Sequence, residues 1–232
     1  QLQDAIAAIG RVIRGKDEVI ELALTACIAR GHILIEDIPG VGKSTLAKSI
    51  AAAIGGVFSR IQFTSDLLPA DLIGTNMWKA SIEKFEFKRG PLFANIVLAD
   101  EVNRAPPRTQ SALLEAMSEF QISIDGQSLP LPRPFTVIAT QNPLEHHGTY
   151  PLPESQKDRF IIRTQIGYAD AKSEAALLSG SSAPDPRSIS TALQLETLGT
   201  AQSQAQQVFI HEDVSMFVRR FIAATREHPA VS

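Results

Sequence analysis

Apolar residues recur at helical spacing over residues 4–9 and again over 17–30. Between them, Val12-Ile13-Arg14-Gly15-Lys16 has no periodicity and reads as a short link. The next apolar run differs in kind. His32-Ile33-Leu34-Ile35-Glu36 is short, continuous and bounded by a glycine-rich turn, the pattern of a strand buried on both faces. Leu46, Ile50 and Ile54 return to helical spacing and stop at Gly55-Gly56. The glycine-rich segment therefore joins a strand to a helix.

Four further runs predict strands, over 58–64, 94–99, 135–140 and 160–166, and a helix is predicted over 111–120 with Leu113, Met117 and Phe120 on one side. Strands alternating with helices predict an α/β fold, a parallel sheet flanked by helices on both faces. Two inserts break the rhythm. Phe85 and Phe87 alternate with charged residues in 72–90, which predicts a hairpin. Asp125-Gly126 sits between alternating segments in 121–131, a hairpin turn signal. Gly180-Ser181-Ser182-Ala183-Pro184-Asp185-Pro186 reads as a loop ahead of a second, helical unit. There Val214, Phe217, Val218, Phe221 and Ile222 form one apolar stripe, read as a core face.

Composition narrows the function classes. The 232 residues are 44% hydrophobic and 20% charged with a net charge of −3, ordinary for a globular protein. No run of Lys or Arg suggests a nucleic-acid backbone as ligand. The single cysteine, Cys27, lies in an apolar stretch and reads as a buried helix residue. One cysteine permits no intramolecular disulfide, which fits a reducing, cytoplasmic compartment. No stretch has membrane-spanning length, and the N-terminus has no signal-peptide pattern. The chain begins at Gln1 rather than Met, so its numbering is expected to start inside a longer chain.

The candidate chemistry begins at Gly40-Val41-Gly42-Lys43-Ser44-Thr45. Glycines there let backbone N–H groups converge on phosphate oxygens, and the following helix presents its positive end to the anion. Lys43 would reach the β- and γ-phosphates, and the Ser44 hydroxyl would hold Mg²⁺. The usual phosphate-loop pattern has a glycine where this chain has Asp37, a departure that weakens the match read alone. Downstream, the run Ile96-Val97-Leu98-Ala99 ends in Asp100 and Glu101. Asp100 would stand in reach of Mg²⁺ through water, and Glu101 would orient and polarise an attacking water. Asn142, in Thr140-Gln141-Asn142-Pro143, could hold the water or the γ-phosphate. Arg159 could act on a neighbour's phosphate, although residue type alone favours a surface ion pair. Glu145-His146-His147 lacks further ligands at metal spacing and reads as a solvated loop. These residues alone leave three readings open: a hydrolase, a small-molecule kinase, and a scaffold or DNA motor.

Taken together, several segments resemble the MoxR family of AAA+ ATPases. They are Glu36-Asp37-Ile38-Pro39-Gly40-Val41-Gly42-Lys43-Ser44-Thr45, Leu98-Ala99-Asp100-Glu101-Val102-Asn103-Arg104-Ala105-Pro106-Pro107, Thr109 to Met117, Ala139 to Pro143 and Gly148 to Glu154. The resemblance implies a P-loop NTPase core over 1–169, with a helix 2 insert at about 70–90 and a pre-sensor 1 hairpin at about 120–132. It implies a helical lid over 170–232, cut short before a sensor 2 arginine that is expected beyond Ser232. Asp37 becomes a family trait. Asn142 matches sensor 1, and Arg159 matches an arginine finger acting on a neighbouring subunit. Val12, Ile13 and Gly15 match the adenine pocket. Pro39, Gly40, Val41, Gly42, Lys43, Ser44 and Thr45 match the phosphate site, with Ser44 and Asp100 toward Mg²⁺. The implied ligand is ATP or ADP, and the implied assembly is a hexameric ring. The implied role is chaperone-like remodelling of a client protein, in maturation of metalloenzymes or complexes, with a von Willebrand factor A domain partner.

Overall fold

The computed structural model of the chain describes residues 1–81, 83–124, 126–144, 148–168 and 184–228. Helices α1 (Leu2–Val12) and α2 (Asp17–Ile28) lead into strand β1 (Ile33–Glu36), helix α3 (Lys43–Ala53) and strand β2 (Phe58–Gln62). A short helix α4 (Pro69–Ile73) precedes a hairpin of β3 (Gly74–Lys79) and β4 (Lys84–Arg89). Strand β5 (Ile96–Asp100) and helix α5 (Pro107–Glu119) follow, then a second hairpin of β6 (Gln121–Ile124) and β7 (Gln127–Pro130). Strand β8 (Thr136–Gln141), helix α6 (Glu154–Lys157) and strand β9 (Ile162–Thr164) complete the sheet region, and α7 (Leu195–Ala205) and α8 (Glu212–Glu227) end the described chain.

All five predicted strands join one sheet, ordered β2-β5-β8-β1-β9, with every pairing parallel. The continuous apolar runs have a direct cause. Alternate residues of one strand enter opposite cores. Ile33, Ile35, Ile96, Leu98 and Ile138 pack with α1, α2 and α3 on one face. Leu34, Val97, Ala99, Val137 and Ala139 pack with Leu113, Leu114 and Met117 of α5 on the other. Parallel pairing also places Glu36, Asp100 and Gln141 at the same edge of the sheet, its C-terminal edge. Ligands of open α/β sheets bind at that edge.

Both predicted hairpins are present. Of the predicted turn, Asp125 lies outside the described residues, as do the Glu145-His146-His147 loop and most of the loop around Gly180. The expected domain boundary between 169 and 170 lies there too. Helix α5 starts four residues ahead of its prediction, because Pro107 stands at a first-turn position where its missing N–H is not needed. Cys27 is buried in α2 as expected, and burial pushes its thiol up to about 11. Among the described residues no helix is long and apolar enough to cross a membrane.

The apolar stripe of the last helix needs correction. Leu198 of α7 enters the core, and Gln202 donates to the Cys27 carbonyl at 2.8 Å. Helix α8 has no buried residue, and Phe217 and Phe221 are 69% and 62% exposed. Helical periodicity specifies that a helix has an apolar face, not which element covers it.

His32, at the start of β1, is 3% exposed. Its Nδ1 accepts the Val137 N–H at 2.9 Å and its Nε2 donates to the Met117 carbonyl at 3.0 Å. Both contacts are satisfied only by the neutral ring, and burial pushes the pKa down to about 4 despite the opposing Met117 contact. Acidification therefore protonates the unfolded chain first. Stability is intact above the ordinary histidine value and is lost as pH falls toward the folded value. The expected loss from this residue is about 2 kcal/mol between about pH 6.5 and 5. Urea unfolding at the two pH values measures it, and a slope equal to that of His32→Gln would contradict the assignment.

Candidate functional site

The turn after β1 is built on two glycines with left-handed backbone. Gly40 has φ +90° and Gly42 has φ +100°, and a Cβ at either would meet nothing within 4 Å. Conformation, not space, demands glycine there. Gly42 caps α3, so Lys43 is the helix's first residue. The Lys43 ammonium donates to the carbonyls of Asp37 at 2.7 Å and Ile38 at 2.8 Å, lying across the loop. Partial burial lowers its pKa, while the charges of Asp37, Asp100 and Glu101 oppose that shift.

Asp37 stands where a glycine was expected, and its carboxylate has three backbone partners. One oxygen accepts the Ile38 N–H at 2.8 Å. The other accepts the N–H groups of Ile166 at 2.8 Å and Gly167 at 2.7 Å. The residue thus ties the loop to the chain leaving β9, which a glycine could not do.

Asp100 and Glu101 share one organiser. The buried Thr140 hydroxyl donates to Asp100 Oδ1 at 2.7 Å and accepts the Glu101 N–H at 2.9 Å. Arg60 grips the other Asp100 oxygen, through Nη2 at 2.6 Å and Nε at 3.2 Å. Glu101 adopts φ +58°, an uncommon conformation for a non-glycine residue. Its Oε2 accepts from Gln62 Nε2 at 2.6 Å and lies 3.3 Å from Arg104 Nε. Beside them, buried Glu36 pairs with Arg163 of β9 and accepts from Gln141. Asn142 Oδ1 accepts the Leu144 N–H at 3.1 Å, which fixes the turn after β8.

One cavity of about 360 Å³ gathers Lys43, Ser44, Thr45, Asp100, Glu101 and Asn142 around Pro39, Gly40 and Gly42. That size suits a small ligand. A hydroxyl and a carboxylate there are hard oxygen donors of the kind Mg²⁺ takes together with phosphate oxygens. Among the described residues no group of three His, Cys, Asp or Glu could hold a metal alone. The donors therefore fit a cation shared with a phosphate ligand, not a cage made only by protein.

Five expected residues, Val12, Ile13, Gly15, Val41 and Arg159, lie outside this cavity's lining. Val12 and Ile13 are buried in the hydrophobic cluster against which Val41 packs, and Gly15 turns the chain with φ +69°. Arg159 is also elsewhere. It donates to the Leu114 carbonyl at 3.1 Å and to Ser118 Oγ, in a separate surface pocket beside α5. Two lining residues, Arg60 and Gln62, were missed by sequence reasoning. Their spacing of two on a strand was the available signal, since it puts both on one face.

Comparison with known proteins is consistent with this arrangement. Residues 32–162 match the family described as ATPase family associated with various cellular activities (AAA). The chain is 43% identical over 231 residues to the uncharacterized protein YeaC of Bacillus subtilis, covering 99% of this chain and 72% of that one. It is 43% identical over 228 residues to Chaperone MoxR1 of Mycobacterium tuberculosis, covering 97% of this chain and 60% of the relative. Protein MoxR of Paracoccus denitrificans is 31% identical over 77% of this chain and 54% of its own length. The chain thus spans about half to three quarters of these relatives. A crystal structure of a candidate ATPase from Cytophaga hutchinsonii superposes with a TM-score of 0.86 at 39% identity, over 96% of this chain and 68% of that one.

Proposed function

The chain belongs to the MoxR-type AAA ATPases, a chaperone-like family, and from that premise we propose that it binds ATP in the cavity above and hydrolyses it. The observation that carries this is the convergence of Lys43, Ser44, Asp100, Glu101 and Asn142 on one cavity at the C-terminal edge of the sheet.

The loop N–H groups and the N-terminus of α3 face the phosphates, and Lys43 exchanges its two carbonyl partners for phosphate oxygens. Ser44 and Asp100 would hold a divalent cation, which when bound neutralises phosphate charge. Glu101 orients and polarises the attacking water, held in place by its backbone bond to Thr140 and its side-chain bond to Gln62. Asn142 lines the same cavity, where its amide would position the water or the γ-phosphate. Val12, Ile13 and Gly15 would border the adenine. Phosphate release from ATP with no added acceptor tests hydrolysis against transfer to a small molecule.

Arg159 is proposed to complete the site of an adjacent subunit in a hexameric ring, since it lies outside its own chain's cavity. Mixing Arg159→Ala with Lys43→Ala chains should restore part of the activity each lacks, because some interfaces then pair an intact loop with an intact arginine. No recovery in mixtures where mixed assemblies demonstrably form would rule out action across the interface. The wider role proposed is remodelling of a client protein alongside a von Willebrand factor A domain partner. The remodelling part is supported by the likeness to a relative named as a chaperone.

A further inference from the structure

Arg60 is a charged cavity residue without a part in the chemistry above. It lies on β2, the strand beside β5, two residues before the end. Its guanidinium is half exposed and lines the cavity with Lys43 and Ser44. Nη2 and Nε both reach Asp100 Oδ2, at 2.6 and 3.2 Å, and Nη2 also donates to Gln62 Oε1 at 3.1 Å. Thr140 already occupies Asp100 Oδ1. A divalent cation drawing on Asp100 therefore competes with Arg60 for the same carboxylate oxygen.

We infer that Arg60 is a displaceable counter-cation, a positioning residue that exchanges Asp100 for nucleotide phosphate when a divalent cation enters. This rests on the ATP-site reading. Three features support it. Its guanidinium already pairs with Asp100, so it neutralises that carboxylate whenever no metal does. Its planar fork matches phosphate oxygens as well as a carboxylate, and it already borders the cavity of the phosphate loop. It is also half exposed, so leaving Asp100 does not strand a buried charge.

The exchange has a consequence for Glu101. Arg60 and Glu101 are both bonded to Gln62, the first to its oxygen and the second to its nitrogen. When Arg60 moves, the Gln62 amide loses one of its two anchors, and Glu101 gains freedom to turn toward the phosphates. The metal's arrival and the release of the water-polarising carboxylate are thereby linked through one amide.

The test is equilibrium binding of a fluorescent ATP analogue to the full chain, once with EDTA and once across a Mg²⁺ titration, for wild type, Arg60→Gln and Arg60→Lys. In EDTA, Arg60→Gln should bind the analogue about fivefold or more weakly, because Asp100 is then left without a counter-cation beside the phosphates. Its half-maximal Mg²⁺ concentration should fall by about fivefold, because the competitor for Asp100 is gone. Arg60→Lys keeps the charge and should stay within about threefold of wild type in EDTA. Opposite shifts in the two buffers cannot come from a salt bridge that merely stabilises the fold, which would move the melting temperature alone. Wild-type binding with an unchanged Mg²⁺ requirement in Arg60→Gln overturns the Arg60 assignment only. No wild-type binding in either buffer overturns the ATP-site reading and this inference with it.

Discussion

Replacing Glu101 by glutamine is expected to lower steady-state phosphate release by at least about 100-fold while leaving ATP affinity within about threefold. The substitution preserves size and the acceptor oxygen facing Gln62 Nε2. It preserves the backbone bond to Thr140 and the left-handed turn at φ +58°, because neither depends on the carboxylate. What it removes is the negative charge that polarises water and can take up its proton. Binding and turnover should therefore separate. Parallel loss of both would mean that Glu101 serves the architecture of the cavity rather than the reaction. Equilibrium titration and a coupled phosphate assay on the same preparation distinguish the two.

Lys43→Ala is expected to act on the other side of that division, weakening ATP binding by about 10- to 100-fold. The lysine is the first residue of α3, reaching back over its own loop to two carbonyls. Those carbonyls are exchangeable partners, whereas phosphate oxygens are charged and make the stronger contact. Removing the ammonium also leaves Asp37, Asp100 and Glu101 without the cation that interacts with all three, so the cavity becomes more repulsive to an anion. Little change in folding stability is expected from losing two contacts made by a half-buried side chain. Wild-type affinity in Lys43→Ala would place the phosphates elsewhere.

The sheet was legible because its chemistry is local. Strands such as 96–100 are buried on both faces, so they read as unbroken apolar runs without knowledge of their neighbours. The loop was legible because Gly40 and Gly42 need left-handed backbone wherever the rest of the chain lies. Arg60 and Gln62 could not be assigned that way. Each meets its carboxylate only because β2 lies beside β5, with Gln62 in register with Asp100. Strand order is a tertiary property. Asp37 was noticed as a departure, but its reason comes from the chain returning after β9 to offer two N–H groups. Thr140 was read within a segment whose amides drew attention, and its hydroxyl proved to be the part that organises both acids. The stripe on α8 failed in the opposite sense, since a true helical pattern was taken to imply a covering layer.

The most direct measurement is the chemical identity of the nucleotide each protein retains after incubation with Mg²⁺ and ATP, rapid removal of free nucleotide, denaturation and chromatography. The expected result is ATP on Glu101→Gln, ADP on the wild type and neither on Lys43→Ala. ADP on Glu101→Gln, formed as fast as on the wild type, would contradict the assignment of hydrolysis to this site.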